Sequence, residues 1–497
     1  MPTLGLEEHI VDRGIYDRTV ARFREAQILL PTFAQLAEPA SIPAEIRGAL
    51  AGVKPDEAHP LNLFRVHWYN GQDRISQADI PDHVVLPKEL TGTEAQIVVV
   101  VGARFPMIAC HKVLAAYGCL APRIVTGQFD PTRHRAVWPS TGNYCRGGVA
   151  ISRLMGCRGV AVLPAGMSQE RFDWLGGWVT DQSDIIRTPG SESNVKEIYD
   201  ECAKLSADPS NVIFNQFAEF GNHLVHYNAT GRALGAVFEQ MQRANPALRL
   251  RAFVSASGSA GTLGAGDYLK ETYGSAIAAV EAEQCPTMLR NGYGEHNIQG
   301  IGDKHIPLIH NVANTDFVVA VSDRATDHLS LVLGAPAGLE YLRGRRGVRE
   351  AEISALPLFG LSSICNIVAS AKIAAYLQLG PDDVIVTVAT DGASMYETER
   401  ARILARDFPG GFDEIAAAEE FGRWMLAAGT SNLLETTRAD RRRIFDLGYY
   451  TWVEQQGVPV DTFTARWDPS FWAGLRALPP GWDEMISEFN SRTGVSP

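Results

Sequence analysis

The chain has 497 residues, of which 45% are hydrophobic and 21% charged, with a formal net charge of −12. That balance belongs to an ordinary globular protein long enough for about two or three compact units. The negative charge argues against a general role on nucleic acid or an anionic membrane, where binding depends on neutralising phosphate.

The N-terminus carries early acids and no uninterrupted apolar run, so no signal peptide is expected, and no stretch approaches the roughly 18 apolar residues of a membrane span. Residues 1–60 alternate helical stretches with prolines and are expected to form an appended N-terminal extension. Residues 61–400 are expected to form the core, in two lobes. AQIVVVVGA (95–103) reads as a buried strand and FPMIACHKVLAAYG turns into a helix. RGVAVLPAG (158–166) is another strand, and SNVIFNQF, RLRAFVSAS, SAIAAVEAE, DFVVAVSD and DDVIVTVAT follow at helix-length intervals. Continuous apolar strands alternating with helices predict an α/β fold with parallel sheet covered on both faces. Residues 401–497 read as a helical C-terminal extension for packing or oligomer contact.

The cysteines, Cys110, Cys119, Cys145, Cys157, Cys202, Cys285 and Cys365, form no CxxC pair. Their wide spacing suits reduced thiols in a cytoplasm. Arg343, Arg345, Arg346 and Arg349, and Arg441 to Arg443, read as solvated helix faces or ion pairs. His296, His305 and His310 lack metal-ligand spacing, so no metal is expected.

Three local features carry candidate chemistry. Lys112 opens a helix-forming run directly after His111. The turn Ser140-Thr141-Gly142-Asn143 offers hydroxyls, an amide and backbone donors at a helix start, which suits either a substrate carboxylate or an ordinary N-cap. Gly258-Ser259-Ala260-Gly261-Thr262 lies between a strand and a helix, where backbone N–H groups and the helix dipole would hold a phosphate. A plain βα turn is an alternative. So is a dinucleotide site with Glu281 as the ribose acid, although glycines at 258, 261, 264 and 266 do not spell GxGxxG. Together the three supply an amine, a carboxylate cradle and a phosphate cradle, the parts that hold a phosphorylated aldehyde and an amino acid.

An ordered series of segments extends this pattern over roughly residues 85–400: FPMIACHK, PSTGN, LPAGMSQER, NQFAEFGNHLVHYNATG, GSAGTLGAGDYLKE, HNIQGIG, VVAVSD, GLSSICNIVASAKIA and VIVTVATDGASMY. In order and spacing it resembles the fold-type II pyridoxal-phosphate enzymes, the tryptophan synthase β and cysteine synthase superfamily. The resemblance implies two open, mainly parallel twisted sheets with helices on both faces and pyridoxal 5'-phosphate in the cleft between them. It implies that Lys112 forms the internal aldimine and shuttles the Cα proton, and that Asn143 faces the cofactor's 3'-oxygen. Ser140 to Asn143 would hold the substrate carboxylate, Gly258 to Thr262 would bind the phosphate, and His111 would add a phosphate contact. The group facing the pyridine nitrogen, a serine in cysteine synthases, aligns with Asp391, or with Thr390 if the turn shifts by one; Asp391 as a cap of the following turn is the plain alternative.

Two departures bear on the substrate. Tyr144-Cys145 replaces the usual Thr-Gly after the asparagine, and Ile364 replaces a glycine in Gly360-Leu361-Ser362-Ser363-Ile364. The expected activity is a lyase that eliminates a β-substituent from a small amino acid through an aminoacrylate, yielding a keto acid plus ammonia or an unsaturated product. A β-replacement synthase of cysteine synthase type and a non-catalytic cofactor-binding homologue are the alternatives. A cytoplasmic homodimer is expected, with no nucleic-acid or membrane partner.

Overall fold

Two sheets account for the alternating apolar runs in a computed structural model that describes residues 5–192, 195–302 and 304–496. In chain order the strands are β1 (His83–Leu86), β2 (Gln96–Val101), β3 (Arg135–Pro139), β4 (Arg158–Pro164), β5 (Ile185–Thr188), β6 (Asn211–Ile213), β7 (Arg249–Ala256), β8 (Ala276–Ala282), β9 (Phe317–Val321), β10 (Asp383–Ala389) and β11 (Leu433–Glu435). The larger sheet runs β1-β2-β10-β7-β8-β9-β11 and the smaller β5-β4-β3-β6.

All pairs in the smaller sheet are parallel. So are those from β2 through β10, β7 and β8 to β9 in the larger one. Only the edge strands β1 and β11 pair antiparallel. The sequences explain the burial. FVVAV and DVIVTVA are buried at every position, as strands covered by helices on both faces must be. The chain leaves the larger sheet after β2, builds the whole smaller sheet, and returns at β7, while β10 inserts between β2 and β7. That change of direction leaves a crevice beyond the carboxyl ends of β2, β10 and β7, where ligands bind in open α/β sheets.

The expected strands appear as β2, β4 and β6 to β10. Four more were not anticipated from the sequence: β1, β3, β5 and β11. All are short, between three and five residues, so they present too few alternating or continuous apolar positions to stand out. β11 lies inside the otherwise helical C-terminal segment and extends the larger sheet beside β9.

The two terminal segments pack on one another. Arg24 donates to the carbonyls of Thr493 and Arg492, each at 2.8 Å. Asp483 accepts from the backbone N–H groups of Phe33 and Ala34 at 2.5 and 3.0 Å. Tyr16 and Phe23 meet Phe489 edge to face at 5.6 and 5.1 Å. The helix Leu478–Thr493 reaches the helix Lys112–Val125, whose Tyr117 hydroxyl donates to the Pro31 carbonyl. Both extensions therefore buttress the helix that carries Lys112.

Candidate active site

Lys112 is the first residue of its helix, and the chain enters that helix through Met107 and Ala109, both in the left-handed region at φ 63° and 49°. Such conformations are uncommon outside glycine and mark a tightly determined turn. Across the crevice, Lys112 Nζ donates to Ser259 Oγ at 3.4 Å. Ser259 belongs to the glycine turn between β7 and the helix Leu263–Tyr273. Asn222 Nδ2 donates to the same hydroxyl at 3.0 Å, and Asn222 Oδ1 is buried with no hydrogen-bond partner among the described residues.

The turn has no room for a side chain at Gly261. Ala260 sits at φ 63°, and a Cβ at Gly261 would lie 2.2 Å from Asn222 Oδ1. Thr262, which precedes the helix, hydrogen-bonds Ser255 at 2.8 Å. A bare backbone cradle at a helix N-terminus, beside an amine, fits the phosphate and aldehyde of a pyridoxal phosphate. The dinucleotide alternative loses its ribose acid, because Glu281 accepts from the N–H groups of Met288 and Leu289 at 2.9 and 2.8 Å.

The second loop follows β3. Ser140 Oγ accepts from the Gly142 N–H at 3.1 Å, and Gly142 adopts φ 153°, where a Cβ would meet Arg171 Nε at 2.3 Å. Only glycine fits there. Asn143 begins the helix Asn143–Leu154, and its amide is oriented from both ends: Oδ1 accepts from Arg146 at 3.1 Å and Nδ2 donates to Asp391 Oδ2 at 2.7 Å. One N–H of that amide is left for a ligand. Tyr144 is buried edge-on against Trp138 at 5.4 Å, and Cys145 Sγ lies 2.9 Å from the Gly142 carbonyl.

Asp391 is fully buried and engages side chains. Tyr396 donates to its two oxygens at 3.1 and 2.8 Å, and Arg171 Nη2 stands 3.8 Å away. Arg171 in turn donates to Tyr396 at 3.1 Å, to Ser168 at 3.0 Å and to Gln299. Burial works against the Arg171 guanidinium, yet Tyr396, Asp391 and Glu192 around it raise its pKa above the ordinary arginine value. Burial and the Asp391 charge push the Tyr396 phenol well up.

A pocket is lined by Lys112, Ser140, Asn143, Glu192, Ser259 and Thr390, among others. Lys112 and both loops thus share one cleft wall with Thr390, while Asp391 faces Asn143, Tyr396 and Arg171. His111 is placed differently from a pocket residue: its ring stacks on Trp68 at 5.5 Å and meets His226 edge-on at 5.2 Å. Burial and Lys112 hold it neutral, well below the usual histidine range. Arg171, Tyr396, Arg146, Asn222 and Glu192 were not singled out from the sequence, although four of them stand in or beside the segments that carried the resemblance. Among the described residues no group of three or more His, Cys, Asp or Glu could hold a metal ion. No helix there is long and apolar enough to cross a membrane.

Comparison with known proteins points to one family. A cysteine synthase of Staphylococcus aureus is 29% identical over 262 residues, 52% of this chain and 74% of that protein. The cystathionine beta-synthase of Saccharomyces cerevisiae is 28% identical over 199 residues, 37% of each chain. The fold is also that of a hydrogen sulfide-producing enzyme from Fusobacterium nucleatum, with a TM-score of 0.52 at 20% identity, covering 63% of this chain and 96% of that one. The family model described as pyridoxal-phosphate dependent enzyme matches residues 110–391, more than half of the chain and the whole of the pocket wall. The chain therefore belongs to the pyridoxal-phosphate dependent enzymes and uses that cofactor.

Proposed function

We propose that the enzyme removes a β-substituent from a small amino acid, releasing a keto acid and ammonia or an unsaturated product. The observation that carries this reading is the meeting of Lys112, 3.4 Å from Ser259 of the glycine cradle, with the Ser140–Asn143 loop in one pocket. When bound, pyridoxal phosphate withdraws electrons from the Cα of an attached amino acid and makes the Cα proton acidic. Lys112 would hold the aldehyde carbon and, once the substrate amine has displaced it, would take that proton on Nζ. Gly258 to Thr262 would hold the phosphate through backbone N–H groups. The remaining N–H of Asn143, its direction fixed by Asp391 and Arg146, would serve the 3'-oxygen. The backbone of Ser140 to Asn143 orients the substrate carboxylate. His111 shapes the floor behind Lys112.

The commitment of Asp391 to Asn143, Tyr396 and Arg171, with Thr390 in the pocket wall, supports Thr390 as the group that faces the ring nitrogen. A hydroxyl there leaves the nitrogen nearer neutral than a carboxylate would. This favours, as a second reading, β-replacement of the kind named for the Staphylococcus aureus relative. Assembly as a cytoplasmic homodimer forms part of the proposal, with molar mass by light scattering as its test. Product analysis by mass spectrometry, with O-acetylserine or β-chloroalanine and with or without sulfide, separates the reactions. Pyruvate and ammonia in both conditions support elimination, whereas cysteine formed at the expense of pyruvate supports replacement.

A further inference from the structure

Glu192 follows β5 in the smaller sheet's lobe and is 2% exposed. Its Oε1 accepts from the Thr141 hydroxyl and from the Gly300 N–H, the latter at 2.8 Å. That oxygen is thus anchored at once to the carboxylate loop of one lobe and to the β8–β9 connection of the other. Its Oε2 is buried without a hydrogen-bond partner among the described residues, while the residue lines the same pocket as Lys112 and Thr390.

An ionised oxygen left unpaired out of water is costly, and a proton on it removes most of that cost. The protonated oxygen is then a donor that lacks an acceptor, in a cleft where only a ligand can supply one. The charged groups that face Glu192 are Arg171 from the helix Gln169–Trp178, Asp391 beyond β10 and Lys112 in the pocket wall. Burial outweighs the attraction of Arg171 and the donors Thr141 and Gly300, and Asp391 adds to it, so the carboxyl is pushed up to about 7. A substrate carboxylate seated on Ser140 to Asn143 brings a further negative charge beside it and favours the proton more.

We propose that Glu192 is the acid that protonates the departing β-substituent; this rests on the reading of the Lys112 pocket as the substrate site. Lys112 Nζ takes the Cα proton, and the electron pair of the Cα–H bond becomes the Cα–Cβ double bond. The Cβ–X pair leaves with X, and X takes the proton from Glu192 Oε2. When product departs, Lys112 gives up the proton it took and the Glu192 carboxylate regains one through solvent, so both groups return to their starting states. Base and acid are thereby separate groups, and the anchoring of Oε1 to Thr141 and Gly300 fixes the direction of Oε2.

The test compares serine, whose hydroxyl must be protonated to leave, with β-chloroalanine, whose chloride needs no proton. In Glu192→Gln holoenzyme, the ratio of kcat/KM for β-chloroalanine to that for serine is expected to rise about 10²-fold, the low end of general-acid contributions. A second readout needs no turnover: subtracting the pH-difference infrared spectrum of Glu192→Gln from that of the unliganded, unaltered enzyme should leave one carboxylic-acid carbonyl band titrating near neutral pH, the bands of Glu219 and Glu281 cancelling. Equal loss on the two substrates, or no band left after the subtraction, overturns the proposal. Borohydride labelling of a lysine other than Lys112 in the unaltered enzyme overturns instead the site reading on which it rests.

Discussion

Asn143 Nδ2 donates to Asp391 Oδ2 at 2.7 Å, tying the first residue of the helix after β3 to the second residue beyond β10. The two sheets are thus joined through a buried polar network. Asp391 supplies its negative charge and Arg171 a matching positive one.

Removing one member of that pair leaves the other charged and buried. Asp391→Ala is therefore expected to destabilise the protein by about 3–5 kcal/mol, the usual cost of breaking a buried ion pair from one side. Asp391→Ala combined with Arg171→Met should be less destabilised than Asp391→Ala alone, because no lone charge remains. Urea denaturation of the three holoenzymes measures this. Additive losses would mean that the 3.8 Å approach carries no coupling.

Lys112→Ala should abolish turnover and the near-visible absorbance of the lysine-linked cofactor while leaving the far-ultraviolet circular dichroism unchanged. Lys112 is at the first turn of its helix, where alanine is well tolerated. Borohydride reduction of the unaltered enzyme followed by peptide mapping should place the label on the peptide containing Lys112. Retained turnover in Lys112→Ala would remove the central assignment.

Gly261→Ala puts a methyl group 2.2 Å from Asn222 Oδ1, so Asn222 or the cradle must move. Cofactor affinity should fall by more than tenfold, which corresponds to more than about 1.4 kcal/mol. Equilibrium dialysis with pyridoxal phosphate measures it. Unchanged affinity would restore the plain βα turn that the sequence left open.

The parts of the site legible in sequence were those with a local signature. Lys112 opens a helix, Ser140 to Asn143 form a turn, and Gly258 to Thr262 bridge strand and helix; each pattern lies within a few residues. Arg171, Tyr396 and Glu192 became visible only through contacts that the fold brings together. Arg171 and Tyr396 are 225 positions apart and Asn143 and Asp391 are 248 apart. Nothing local distinguishes a buried glutamate from the many solvated ones. The orientation of the 390–391 turn depended in the same way on a distant partner, Asn143. Strands such as β5 were missed because four residues hold too little periodicity to register.

Stability should depend on pH through two opposed sets of buried groups. Burial lowers His67 and His310 to about 3 and His223, His296 and His305 to about 4. Above the ordinary histidine value of about 6.5 both folded and unfolded chains hold them neutral; as pH falls below it, the unfolded chain takes up protons the folded one refuses, and stability is lost. Burial raises Glu192, Glu219 and Glu281 to about 7 and Asp327 and Asp483 to about 6. These carboxyls keep protons in the fold that the unfolded chain has released, so their contribution is present at low pH and lost as pH rises through 6 to 7. Between about pH 4.5 and 6.5 the two sets largely offset each other. Below about pH 4.5 the unfolded carboxyls are protonated as well, the offset disappears, and the histidines alone set the slope. The thermal midpoint of the holoenzyme is expected to change little from pH 6.5 to 5 and to fall steeply below about 4.5. His310→Phe should soften that fall, since His310 is held to about 3 and each such histidine removed subtracts up to about 1.4 kcal/mol per pH unit from the slope. An acid limb that is identical in His310→Phe would show that His310 takes its proton before the chain unfolds.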